Sequence, residues 1–270
     1  MNVQWWCSAR GVPWRWQWQP YPGVWLAVLA LGAAYARWST PLAGTHANTT
    51  SAGRRVGGWV AVALVWMALD WPGGPLGTGY LASVHAAQFL VLAMIAPPLL
   101  LRGIDDNRVR ALLDRNGVAA KIIRVVTKPL VAALAFTIVM LATHTPDAVD
   151  TLMRSQLGAF ALDLAWFLSG LAFWWPVVLE VPVRVHFGPP IRMLYLFAGT
   201  QAHLYLSMWL LLGDLPKYGV YELAPRVTGL SALEDQQVAG GLLLTIGGTY
   251  VLAVISLLFF RWFAEPQPEV

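Results

Sequence analysis

Few residues in this chain combine a metal-binding or proton-handling side chain with an apolar setting. Of its five histidines, His85, His144 and His203 fall within or at the ends of long apolar runs, whereas His46 and His186 lie between such runs. Met140 stands four residues before His144, a spacing that stacks a thioether and an imidazole on one helix face. That soft pair suits monovalent copper better than calcium or magnesium. Gln156, Phe160 and Asp163 share one helical stripe, and Gln88 lies one turn below His85. Each residue also has a structural reading: a buried histidine bonding a carbonyl, Asp163 pairing with a histidine or a tryptophan N–H, Met140 filling a core. Cys7 is the only cysteine, which excludes an internal disulfide and any Cys-x-x-Cys motif.

The elements that must position these residues follow from composition. The chain has 270 residues, 57% hydrophobic and 12% charged, with a mean hydropathy of +0.57. That leaves too little polar surface to cover a water-soluble globule, so a bilayer is the fitting solvent. A spanning helix needs about 20 mostly apolar residues. Seven candidate runs occur, at about 22–38, 56–72, 80–101, 127–144, 156–179, 191–212 and 237–263. The first is the weakest, with a short apolar core from Val24 to Ala36, and a six-helix reading stays open without it. The expected fold is an all-α, polytopic helix bundle forming one transmembrane domain over residues 1–270. Residues 1–21 would be an interfacial segment rich in tryptophan, 22–263 the bundle and 264–270 a tail. Pro97, Pro98 and Pro176 fall inside expected spans, where neighbouring helices can satisfy the freed backbone groups. Residues 1–20 contain no continuous apolar core of the kind a cleavable signal peptide has.

Basic residues distribute unevenly between the two sides of such a bundle. Thirteen of the 18 Lys and Arg, Arg37, Arg102, Arg124 and Arg184 among them, fall on the side that holds the C-terminus. The positive-inside rule therefore places the N-terminus outside and the C-terminus in the cytoplasm. His85, His144 and His203 then belong to the outer half. The stretch from Asp105 to Lys128 mixes charges with Val109, Leu112, Ile122 and Ile123, as a helix lying on the inner membrane face would. The same cluster accounts for the net charge of +4 by contact with anionic lipid, with no need for nucleic acid.

Several motifs resemble one known family. His85-Ala-Ala-Gln88 followed by the run Ala96-Pro97-Pro98-Leu99-Leu100-Leu101-Arg102-Gly103 looks like the signature of the CtaG family of cytochrome c oxidase assembly factors. In the same order follow His144-x-Pro146, Phe173-Trp174-Trp175-Pro176, and Gly229-Leu230-Ser231 leading to Asp235-Gln236-Gln237-x-x-Gly240. The resemblance implies a seven-helix protein of the bacterial plasma membrane that helps assemble a haem-copper oxidase, handling copper for its binuclear centre. Its partners would be an oxidase subunit, the lipid bilayer and a periplasmic copper donor. The family's histidine positions match at His85 and His144, and its Asp-Gln motif at Asp235 and Gln236. Where many members carry further histidines, this chain has Phe89, Ala161 and Leu164. His203, Met140 or Met208 could stand in for a missing ligand. Asp235 is also read as the N-cap of the last span.

Other classes stay open at this point: a scaffold without metal, a haem-binding electron carrier using His85 and His203, or a transporter whose path is lined by Asp163, His85 and His203. Hydrolase motifs such as Gly-x-Ser-x-Gly and His-Glu-x-x-His are absent from the sequence, and no enzymatic turnover is expected.

Overall fold

The computed structural model describes residues 4–41, 51–115, 117–179, 181 and 187–264, and is helical with no strand among them. His46, Arg184, His186 and tail residues 265–270 lie outside the described residues. In chain order the helices are α1 (Pro22–Ser39), α2 (Ala52–Leu69), α3 (Gly73–Gly79), α4 (Ala82–Gly103), α5 (Asp106–Asp114), α6 (Val118–Val126) and α7 (Pro129–Thr143). They continue with α8 (Pro146–Leu152), α9 (Gln156–Val178), α10 (Pro189–Gly199), α11 (Gln201–Leu211), α12 (Gly219–Glu222) and α13 (Ala232–Ala264).

Local chemistry sets most of the starts. Pro22, Pro129, Pro146 and Pro189 occupy first-turn positions, where a missing N–H costs nothing. Ser51, Thr145 and Ser155 cap α2, α8 and α9 with side-chain oxygens. Ser231 and Glu234 form a reciprocal capping box on α13. Two helices contain a π turn, at Leu90–Ile95 in α4 and Leu243–Gly247 in α13. The first lies directly before Pro97 and Pro98, which thereby become first-turn residues of a resumed α-helix instead of clashing inside one.

Three helices, α4, α9 and α13, are long and apolar enough to cross a membrane, and the bent pairs α2/α3 (51°) and α6/α7 (79°) bring the number to five. The expected span 22–38 is helical as α1, and 191–212 appears as α10 and α11 interrupted at Thr200; both fall outside that set. The stretch 105–128 forms two short helices, α5 and α6, where one was expected. α6 leaves α7 at nearly a right angle and exposes Val118, Ile122 and Val125.

The central helix is α4. Its first turns pack on α13, its middle on α9 and its last turns on α2. At Gly170 a Cβ would come within 2.4 Å of the Ala93 carbonyl, so only glycine permits the close approach of α9 to the π turn of α4.

The N-terminal tryptophans do not all lie at the surface. Trp6 is 3% exposed and belongs to the core, whereas Trp16 and Trp18 are exposed. The reason is polar pairing: the indole N–H of Trp6 donates to Asp163 at 2.8 Å, and Gln156 Oε1 accepts from Trp5 N at 2.7 Å. The stripe Gln156, Phe160, Asp163 is thus the dock of the N-terminal segment. Asp70, at the end of α2, accepts from the indoles of Trp25 (3.2 Å) and Trp66 (2.8 Å) and ties α1 to α2.

Cys7, beside Trp6, is buried and donates to the Leu69 carbonyl at 3.4 Å. Burial, reinforced by the nearby Asp163 and Asp70 carboxylates, pushes its thiol well above the ordinary range. Because the folded value is raised, the neutral thiol adds stability that is complete below about pH 8.5 and is lost as pH rises through the folded value. At neutral pH a thiol reagent is expected to label Cys7 at least about tenfold more slowly in the folded protein than in denaturant. Equal rates, measured by mass spectrometry over time, would contradict this docking of the N-terminal segment.

Candidate functional site

Three imidazoles converge within the bundle. His85 sits one turn into α4, His144 is the C-cap of α7, and His203 lies on α11; each is 3% exposed. The His85 and His144 ring centres are 5.9 Å apart. Trp166 of α9 lies against both, 4.8 Å from His85 and stacked on His144 at 5.3 Å. Phe89, one turn after His85, stands edge-on to His144 at 5.0 Å and stacks on His203 at 6.1 Å. His203 itself rests on the π turn of α13, where a Cβ at Gly247 would come within 2.3 Å of its Cε1.

Hydrogen bonding fixes what His144 can do. Its Nδ1 lies 2.8 Å from the Met140 carbonyl, which can only accept, so Nδ1 carries the proton and Nε2 is left with a free lone pair. The Nε2 atoms of His85, His144 and His203 are all buried without a hydrogen-bond partner. Unpaired buried nitrogens are costly, and three in one region call for a ligand. Two imidazoles that share one ion at about 2 Å each have ring centres roughly 6 Å apart, which the His85–His144 separation matches. Among the described residues no group of three or more His, Cys, Asp or Glu side chains is placed to hold a metal.

The walls of the site come from residues with no obvious motif. The Trp166 indole donates to Thr143 Oγ1 at 2.8 Å, which clamps its ring. A roof is formed by α12: Tyr221 faces His85 at 5.8 Å and donates to the Gly77 carbonyl at 2.6 Å, and Tyr218 donates to the His144 carbonyl at 3.1 Å. Asp150 of α8 accepts from the N–H groups of Gly219 (3.1 Å) and Val220 (2.8 Å) and seats that roof. Trp166 carries one sequence signal, since a tryptophan ten residues into a span lies away from the interfacial belts. Tyr218, Tyr221 and Asp150 carry none.

The remaining residues picked from the sequence sit elsewhere. Gln88 turns away from His85 and donates to the carbonyls of Ala68 (2.8 Å) and Gly73 (3.2 Å), bracing the bend between α2 and α3. The contact from Met140 to His144 runs through its backbone carbonyl, and its side chain belongs to the core. Asp163 lines a separate cavity of about 140 Å³ among Trp6, Val28, Val65, Leu92 and Phe167. Gln236 accepts from Lys217 N at 2.6 Å and so holds the connection between α11 and α12. Asp235 is not the N-cap of its own helix, a role Ser231 fills. It caps α4 instead, accepting from Ala82 N (2.6 Å), Ser83 N (3.4 Å) and the Ser83 hydroxyl (2.5 Å). It thereby fixes the turn that carries His85.

These features define an all-helical membrane protein in which three buried histidines converge while its other buried polar residues brace the helices around them. The chain belongs to the cytochrome c oxidase caa3 assembly factor family (Caa3_CtaG), whose model matches residues 33–265. No curated protein and no solved structure matches the chain.

Proposed function

We propose that this assembly factor binds one monovalent copper ion between His85 and His144 and passes it to an oxidase subunit held alongside it in the bacterial plasma membrane. The observation that carries this reading is the pair of buried imidazoles, 5.9 Å apart, whose Nε2 atoms have no partner while the His144 tautomer is set from behind by Met140. Two neutral nitrogens in an apolar pocket favour a soft monovalent ion over a hard divalent one. A site with so few ligands also releases its ion readily to an acceptor that offers more. The protein's part is transfer, with no bond made or broken in a substrate.

In this reading the chain crosses the membrane seven times, with α1 and the broken pair α10/α11 as the two further crossings. The N-terminus is outside and the basic α5/α6 region lies on the cytoplasmic surface. That orientation, supported by the distribution of Lys and Arg, puts the histidine site, under its α12 roof, in the half of the bundle nearer a periplasmic copper donor. Against a haem carrier, the rings of Trp166 and Phe89 form the chain of contacts from His85 to His203, space that a macrocycle would require.

The test is the metal content of detergent-purified protein loaded with monovalent copper under reducing conditions. Native protein is expected to retain close to one copper per chain, and the His85→Ala, His144→Ala double variant to retain almost none. Equal copper in both would contradict the site, and copper in neither would favour a scaffold that acts without metal.

A further inference from the structure

Trp166 closes a triangle with the two histidines, its ring centre 4.8 Å from His85 and 5.3 Å from His144, whose own centres are 5.9 Å apart. The midpoint between the two imidazoles therefore lies about 4 Å from the centre of the indole, inside the reach of a cation–π contact. The lone pair of His144 Nε2 lies in the plane of its ring, and that plane is only 19° from the plane of the indole it stacks on. An ion bound in that plane lies in a layer nearly parallel to the indole, about 4 Å from its centre. The indole cannot swing away, because its N–H is held by Thr143 Oγ1, and the ring is 0% exposed.

Resting on the copper reading above, we infer that Trp166 is the third contact of the ion, its indole face holding a soft monovalent cation that His85 and His144 grip from the sides. A π face supplies polarisable electron density without a lone pair. It stabilises a weakly hydrated monovalent ion and offers nothing to complete the tetrahedral shell that zinc requires. Trp166 would then set selectivity as well as affinity: Cu(I) and Ag(I) are retained and Zn(II) is refused. Burial strengthens the contact, because a low local dielectric screens it less than bulk water would.

The experiment uses full-length protein in detergent micelles, with Ag(I) as an air-stable probe and Zn(II) as the comparison. The variants are Trp166→Phe and Trp166→Leu, each checked for unchanged thermal unfolding. Affinity for Ag(I), measured by competition with a chelator, is expected to fall in the order Trp, Phe, Leu, with the leucine variant weaker by about ten- to thirty-fold. Silver should also perturb the near-ultraviolet indole absorption of native protein, and this difference spectrum should vanish in both variants. Silver affinity unchanged in Trp166→Leu, together with an unchanged difference spectrum, would overturn the inference while leaving the histidine pair standing. Silver that binds equally well without His85 and His144, or not at all, would overturn the copper reading and the role of Trp166 with it. Trp166→Phe keeps the core filled, so the spectral comparison holds even if the leucine variant fails to fold.

Discussion

Replacing Asp235 by alanine is expected to destabilise the folded protein by about 2–4 kcal/mol. The carboxylate is 2% exposed and receives three hydrogen bonds from the first turn of α4, a helix that starts 153 residues earlier in the chain. Alanine would leave the N–H of the buried Ala82 without an acceptor and would remove a negative charge from the positive end of the helix dipole. Asp235→Asn keeps the shape and one acceptor, so it should cost only about 1 kcal/mol. Thermal unfolding in detergent separates the two. Because His85 lies a single turn from the cap, Asp235→Ala should also reduce copper retention, whereas Asp235→Asn should leave most of it. A variant as stable as the native protein would show that α4 is positioned by packing alone.

Phe89→His is expected to change which metals the protein accepts. Phe89 is 1% exposed and stands between His144 and His203, so it separates the third imidazole from the pair. A histidine there would add a nitrogen beside His144 and open a path to His203, which approaches the three or four ligands that zinc demands. A structural zinc site gains about 10–16 kcal/mol from four ligands, so one extra ligand should raise Zn(II) affinity by roughly a hundredfold. Release of Cu(I) to a chelator should slow for the same reason. Calorimetry with Zn(II) on native and variant protein checks the first effect. If Zn(II) affinity does not change, Phe89 is only packing, and His203 lies too far from the pair to contribute.

Both expectations depend on contacts that no reading of the sequence could supply. Apolar runs and proline positions located most of the helices, because hydropathy and missing N–H groups act locally. Crossing number was less legible. α1 carries Arg37 and two tryptophans over a short apolar core, and α10/α11 breaks at Thr200, so neither shows the continuous apolar length of α4, α9 or α13. His85 and His144 could be singled out because an imidazole in an apolar run is rare and costly. Their true neighbours could not. Trp166 looks like any core aromatic until the packing of α9 lays it across both rings. Asp235 stands at the start of the last apolar run and so suggested a local capping role, while its partner came from a distant helix. Asp163 was noted for the cost of a carboxylate in apolar surroundings, and the partner proved to be an indole of the N-terminal segment.

The most direct test of the central claim is copper stoichiometry after reductive loading and desalting, compared between native protein and the His85→Ala, His144→Ala double variant folded to the same degree. Near one copper per native chain, lost in the double variant, is the predicted result. Copper retained in full by the double variant would contradict the assignment of the histidine pair as the copper site.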